Sequence, residues 1–215
     1  MNEKPYLVGI VGGSGSGKSS FINALKASLP NEHITVVSQD NYYLPIDQQK
    51  KDENGWVNFD LPSSIDRQAF YNDLQKLMNG QSIEIHEYNF NNATSAPQVI
   101  KIEPTPIIIM EGLFVMHYTE IADLLDLKLY IEVDEEIKLA RRINRDATER
   151  GYPEEEVRYQ WEHHVLPSFQ QYLLPYRSQA HLIINNNINF NKGLMVIKNH
   201  LKAQAKIMAG ASIRA

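Results

Sequence analysis

Apolar residues fall into short runs, separated by longer segments in which they recur every three or four positions. The runs at Tyr6–Val11, Ile34–Ser38, 107–110, 128–133 and 181–184 are strand-sized and bounded by polar or turn residues. They lack strict alternation, so most of them predict strands buried on both faces. Between them, Phe21, Ile22, Leu25 and Leu29 carry helical spacing, and so do Leu194, Ile197 and Leu201. Strands alternating with helices predict an α/β fold with a parallel sheet flanked by helices. Two stretches break the rhythm. Residues 44–63, with Pro45, Gly55 and Pro62, read as a long loop of the kind that is usually functional or disordered in a compact domain. Residues 83–88 and Val99–Ile102, separated by Asn91, Asn92 and Pro97, read as a hairpin outside the main sheet. Both are expected beside the substrate.

At 215 residues the chain fits one domain, expected to span 1–215, and its 43% apolar and 22% charged residues are ordinary for a globular protein. It contains no cysteine, which excludes a disulfide framework, a thiolate nucleophile and a cysteine-ligated metal, and agrees with a reducing compartment. Residues 1–5 are polar and the first apolar run is only a strand long, so neither a signal peptide nor a membrane span is expected and the default location is cytoplasmic. A net charge of −5 argues against a broad nucleic-acid footprint, while leaving room for a local basic face near Arg142.

The most specific chemistry lies in Gly12-Gly13-Ser14-Gly15-Ser16-Gly17-Lys18-Ser19, followed by Ser20. This is the full P-loop spacing, with an apolar strand before it and an amphipathic helix after it. Glycines let backbone N–H groups turn inward around phosphate oxygens, and the helix N-terminus points its partial positive charge at the same place. Lys18 would reach the terminal phosphates and Ser19 would ligate Mg²⁺. The apolar run at 107–110 ends in Glu111-Gly112, at the strand end where open α/β sheets put their ligands. A carboxylate there can hold Mg²⁺ or its water shell. Asp40 follows another strand and is the candidate base for activating a hydroxyl; an Asx-turn or a helix cap is the competing reading.

Between residues 134 and 150, Ile137, Ala140, Ile143 and Ala147 mark one helical face, and Lys138, Arg141, Arg142 and Arg145 crowd the other. Such arginines can close over a nucleotide. They can equally pair at i, i+4 on a solvated helix, Asp146 with Arg142 and Arg150, and Glu149 with Arg145. His163-His164 reads as surface, and Tyr88 and Phe90 as core aromatics or a stacking wall.

Taken together, GGSGSGKSS at 12–20, QDNYY at 39–43, NFDLP at 58–62, EYNF at 87–90, MEG at 110–112, RRINRDATERG at 141–151 and VLPSFQQYLLP at 165–175 resemble the uridine kinase (uridine/cytidine kinase) family of the phosphoribulokinase/uridine kinase group of P-loop proteins. The match covers residues 6–189. The resemblance implies a P-loop NTPase-type sheet with a small β-hairpin excursion and a helical lid over 141–160. It implies phosphorylation of a pyrimidine nucleoside 5′-hydroxyl by ATP, or GTP, with Mg²⁺, the chemistry of pyrimidine salvage. It gives Asp40 the role of base and makes Ser19 and Glu111 the Mg²⁺-associated pair. Asp60 is similar to the residue that grips the ribose hydroxyls, and Tyr43, Tyr88, Phe90, Arg142 and Gln160 to further substrate contacts. Arg145 and Arg150 resemble lid arginines near the phosphates, and Asn189 stands where the family places an acid beside the adenine. The implied partner is a small nucleoside rather than a nucleic acid or a membrane, and an assembly of identical copies stays open.

Three positions depart from the family pattern. Ala93 replaces a histidine that contacts the base, Tyr152 replaces a lid arginine, and Leu61 replaces the histidine after Asn-Phe-Asp. Loss of a polar reader can relax or redirect base choice. Two alternatives therefore stand beside the nucleoside reading: a kinase of the same group acting on a phosphopentose or a pantothenate-like alcohol, and a nucleotide-binding regulator without turnover. A GTPase switch is disfavoured, because no Asn-Lys-x-Asp occurs and the single Asp-x-x-Gly, Asp52 to Gly55, lies in a polar loop.

Overall fold

The computed structural model describes residues 4–29, 34–88 and 98–212. Along the chain, β1 (Tyr6–Val11) leads into α1 (Lys18–Ala27) and then β2 (Ile34–Ser38). After the 39–66 segment come α2 (Arg67–Met78), β3 (Ile83–His86), β4 (Val99–Ile102) and β5 (Ile107–Gly112). The second half carries α3 (Thr119–Ala122), β6 (Leu127–Glu132), α4 (Glu135–Glu149), α5 (Glu154–Gln160), α6 (Leu166–Ser168), β7 (Leu182–Asn185) and α7 (Asn191–Ser212).

Five strands form one parallel sheet in the order β2-β5-β1-β6-β7, and β3 and β4 pair antiparallel as a separate hairpin, with Ile83 opposite Ile102. The expected parallel sheet, flanking helices and excursion are all present. Alternation across the pleat sends successive residues to opposite cores. Val8, Ile10, Ile107, Ile109, Leu129 and Ile131 pack with Phe21 and Leu25 of α1 and Ile197 and Leu201 of α7. Leu7, Val11, Ile108, Met110 and Tyr130 face the other way, onto Phe70, Leu74 and Leu77 of α2 and Ile83 and Ile85 of the hairpin. The prediction of strands buried on both faces holds for β1, β5 and β6. It fails for the edge strand β7, where Leu182 and Ile183 are exposed because only one neighbour flanks it.

The 44–63 loop is less irregular than its composition suggests. Short 3₁₀ turns occupy Ile46–Gln48 and Pro62–Ser64, and Lys51 bridges Val57. Between α5 and α6, and again between α6 and residue 174, the helix widens into π-turns at Trp161–Val165 and Phe169–Leu173. No helix among the described residues is long and apolar enough to cross a membrane.

Candidate active site

All five parallel strands end at one side of the sheet, and there a cavity of 820 Å³ opens. Its floor is the 12–18 turn. Gly15 and Gly17 hold φ of 78° and 83°, a backbone region costly for any residue with a Cβ. Space closes the same positions: a Cβ on Gly15 would strike the Lys138 carbonyl, and one on Gly17 would sit 2.5 Å from the Asn186 amide. That amide donates to the Ser16 carbonyl at 2.8 Å, tying the end of β7 to the loop. Gly17 is the N-cap of α1 and no side chain caps the helix. Its first N–H groups are thus left for an anion, as the sequence motif anticipates. Gly13, Ser14, Gly15, Ser16, Gly17, Lys18, Ser19 and Ser20 all line the cavity, while Gly12 is buried against Ile131.

Lys18 Nζ lies 3.3 Å from Glu111 Oε2, and Ser38 Oγ donates to Glu111 Oε1 at 2.6 Å. Burial opposes the lysine's charge, but Glu111 and Asp40 outweigh it and hold Lys18 above the ordinary lysine range. Asp40 sits in the 3₁₀ turn Gln39–Tyr42 directly after β2, its N–H facing Ser38 Oγ. Burial, and then the Glu111 carboxylate, raise the Asp40 carboxyl above the ordinary aspartate range, against the pull of Lys18, Arg150 and Arg145. A carboxylate made more basic in this way suits proton abstraction. Glu111 Oε2 is buried, and among the described residues it is the Lys18 ammonium that faces it. Glu111 beside Lys18 and Ser19 on the cavity wall both carry hard oxygens of the kind that suits Mg²⁺, an ion that takes few protein ligands and completes its shell with water and phosphate.

Opposite the loop stands α4, and here a sequence expectation is overturned. Ala140 and Ala147 are exposed, whereas Lys138, Arg142 and Asp146 are buried, so the helix packs its charged face inward. The reason is its neighbour, which is the polar 13–15 turn rather than hydrocarbon: Gly15 lies against Lys138 and Ser14 accepts from Arg142. Asp146 is fully buried; it meets Arg145 Nε at 2.8 Å, Arg142 Nε at 3.2 Å and Arg150 Nη1 at 3.4 Å. Arg145 thus turns to Asp146 instead of Glu149. Arg142 also donates to Ser14 Oγ at 3.0 Å and to Gln160 Oε1 at 2.9 Å, spanning the cavity from loop to α5. Lys138 places its ammonium 3.7 Å from the Phe169 ring centroid, beneath Gly13.

At the far end, Tyr43, Phe59 and Tyr88 form an aromatic corner, with ring centroids 5.1 Å (Tyr43 to Tyr88) and 5.6 Å (Tyr43 to Phe59) apart. Burial and the nearby Asp40 and Asp60 push the Tyr43 hydroxyl well above its usual range, so it stays a neutral donor. Asp60 is buried at the cavity wall; its N–H donates to Asn58 Oδ1 at 2.9 Å and its carbonyl accepts from Ser168 Oγ. Arg142, Arg145, Arg150, Tyr152 and Gln160 line the same space. Phe90 and Ala93 lie outside the described residues. Asn189 lies away from the cavity, exposed, with its side chain accepting from the Asn191 N–H at 3.1 Å at the start of α7.

Sequence reasoning missed three residues here. His164 was expected at the surface but is buried against Asp52. Asn186 and Gln39 act through contacts distant in sequence: Gln39 Oε1 accepts from Phe114 N at 2.9 Å and packs on Gly112. The expected pairing of Asp146 with Arg142 and Arg150 is present, but it is buried rather than solvated and takes in Arg145 as well.

Comparison with known proteins shows the family. Residues 7–190 match the phosphoribulokinase/uridine kinase family. A uridine kinase of Borrelia duttonii is 36% identical over 200 residues, covering 93% of this chain and 96% of that protein. A uridine kinase of Limosilactobacillus reuteri is 32% identical over 184 residues, 86% of this chain and 84% of its own length. The crystal structure of a putative fructose transport system kinase from Silicibacter superposes with a TM-score of 0.61 at 19% identity, covering 84% and 87% of the two chains, a likeness of fold.

Proposed function

Because the chain belongs to the phosphoribulokinase/uridine kinase family, we propose that it is a nucleoside kinase that transfers the terminal phosphoryl group of ATP to the 5′-hydroxyl of a pyrimidine nucleoside. The observation that carries this reading is the meeting, in one cavity, of a phosphate cradle, a basic carboxylate and an acceptor corner with a buried aspartate.

The N–H groups of 13–19 and Lys18 bind the phosphate chain, and Arg145 and Arg150 neutralise charge on the group in flight. Ser19 and Glu111 would hold Mg²⁺, which would supply positive charge to offset that of the phosphates. Asp60 fixes the ribose hydroxyls, while Tyr43, Phe59 and Tyr88 wall the base, a role that the family resemblance also gives Phe90. Arg142 and Gln160 orient the nucleoside. Asp40 accepts the 5′-hydroxyl proton as the new P–O bond forms and the bond to the leaving ADP breaks. The location that suits this chemistry is the cytoplasm.

Incubation with Mg·ATP and a panel of nucleosides, widened to phosphopentoses and pantothenate, should yield UMP or CMP. Turnover confined to a phosphopentose or pantothenate would replace the acceptor, and tight ATP binding without turnover on any acceptor would overturn the kinase reading. Asp40→Asn should lower kcat by about 10²–10⁴-fold, the range for a lost general base.

A further inference from the structure

The acceptor end of the cavity is closed by a strap, and the strap is fastened to the lid by a contact that phosphoryl transfer does not use. Residues 50–58 double back on themselves, with Asp52 N–H donating to the Trp56 carbonyl and Asn58 N–H to the Lys50 carbonyl, both at 2.8 Å. Asp52 is the hub of the strap. Its Oδ1 accepts from the N–H groups of Asn54 and Trp56, each at 2.9 Å. Its Oδ2 accepts from the Tyr159 hydroxyl at 2.7 Å and lies 2.8 Å from His164 Nε2. Burial pulls the other way, but these donors hold the Asp52 carboxyl well below the usual carboxylate range. The Trp56 ring lies 5.8 Å from that of Tyr159, which stacks on His163.

His164 is only 2% exposed, and a buried imidazole is costly unless its N–H finds an acceptor; here the acceptor lies on a different segment, 112 residues away. It belongs to a π-turn, a widening that recurs at functional sites. Four residues further on, Ser168 donates to the Asp60 carbonyl. One helical stretch therefore grips the strap at Asp52 and the backbone just beyond it at Asp60, and Gly55, Trp56, Val57, Asp60 and His164 all line the cavity.

We infer that the Asp52–His164 pair, supported by Tyr159, is a positioning device for the acceptor: it holds the strap so that Asp60 and Trp56 face the bound nucleoside, and it sets acceptor affinity separately from donor affinity. The inference rests on the nucleoside kinase reading for the identity of the acceptor, but the fastening itself does not.

Two readouts test it. Trp56 and Trp161 are the two tryptophans, so Trp161→Phe leaves Trp56 as a fluorescent reporter on the strap. In that background His164→Leu and Asp52→Asn should each make Trp56 more accessible to acrylamide. In the otherwise wild-type protein each should raise the acceptor KM about tenfold, the scale of one lost charge-assisted hydrogen bond. The donor KM should stay within about twofold, as for a site without shared partners. His164→Gln, which keeps an N–H donor at similar reach, should recover most of both effects. Asp52→Asn leaves the buried helix untouched and keeps the test decisive if His164→Leu does not fold. An unchanged acceptor KM in Asp52→Asn, or equal rises in donor and acceptor KM, overturns the inference. If the wild type phosphorylates no nucleoside, the function fails first, and unchanged Trp56 quenching in Asp52→Asn then separately sinks the fastening.

Discussion

Asp40 and Asp146 show how differently two aspartates are used within one site. Asp40 must be ionised to accept a proton, yet burial and Glu111 push its carboxyl above the ordinary range, while Lys18, Arg150 and Arg145 restrain that rise. Activity should therefore fall as pH drops through a limb lying above the ordinary aspartate value. Removing a cation that favours the ionised form raises the pKa further, so Arg150→Ala should move the limb to higher pH. A kcat/KM profile checks this, and a limb that moved down or stayed put would exclude Asp40 as the group observed. Asp146 instead has three guanidiniums around a fully buried carboxylate. Breaking a buried ion pair from one side typically costs about 3–5 kcal/mol because a charge is left uncompensated. Asp146→Ala should lose stability on that scale in urea unfolding, and Arg145→Ala clearly less, since Arg142 and Arg150 still face the carboxylate.

Elements built on hydrocarbon contacts were readable in advance, and elements built on polar contacts were not. The strands at Tyr6–Val11 and Ile34–Ser38 and the core faces of α1 and α7 follow from apolar spacing, because their partners are other apolar side chains. The same rule misplaced α4, whose inward face is Lys138, Arg142 and Asp146, because periodicity presumes an oily neighbour and this helix packs on a phosphate loop. It also left His164 at the surface, since nothing local to it signals a carboxylate on the distant strap. Motif spacing succeeded where periodicity failed: the turn between β1 and α1 demands glycine for reasons visible in the backbone. At Gly17, with φ of 83° and the Asn186 amide 2.5 Å from any added Cβ, alanine would be strained and crowded at once. Gly17→Ala should therefore cost at least about 1 kcal/mol of stability and weaken ATP binding. Isothermal titration together with denaturant unfolding measures both, and unaltered ATP affinity would mean that the loop does not need this geometry.

The carboxyl ends of the parallel strands build and brace one cavity: β1 leads into its loop and β2 into Asp40, β6 leads to α4, Glu111 of β5 holds Lys18, and Asn186 after β7 holds Ser16. The order β2-β5-β1-β6-β7 puts the loop strand at the centre, so a phosphate chain seated there touches groups anchored in both halves of the sheet. Ligand that binds only the folded state stabilises it by about 2.7 kcal/mol at a hundredfold excess over Kd. For a domain of this size each kcal/mol moves Tm by about 2–4 °C, so saturating Mg·ATP should raise Tm by roughly 5–10 °C. In the proposed reaction Lys18 meets the phosphates, whereas Asp40 meets the acceptor hydroxyl. Lys18→Met should therefore abolish most of the ATP-induced shift, while Asp40→Asn should retain it despite its loss of turnover. Thermal melts of the three proteins with and without Mg·ATP separate the two roles. If Asp40→Asn lost the shift as completely as Lys18→Met, the assignment of donor and acceptor ends within the cavity would be wrong.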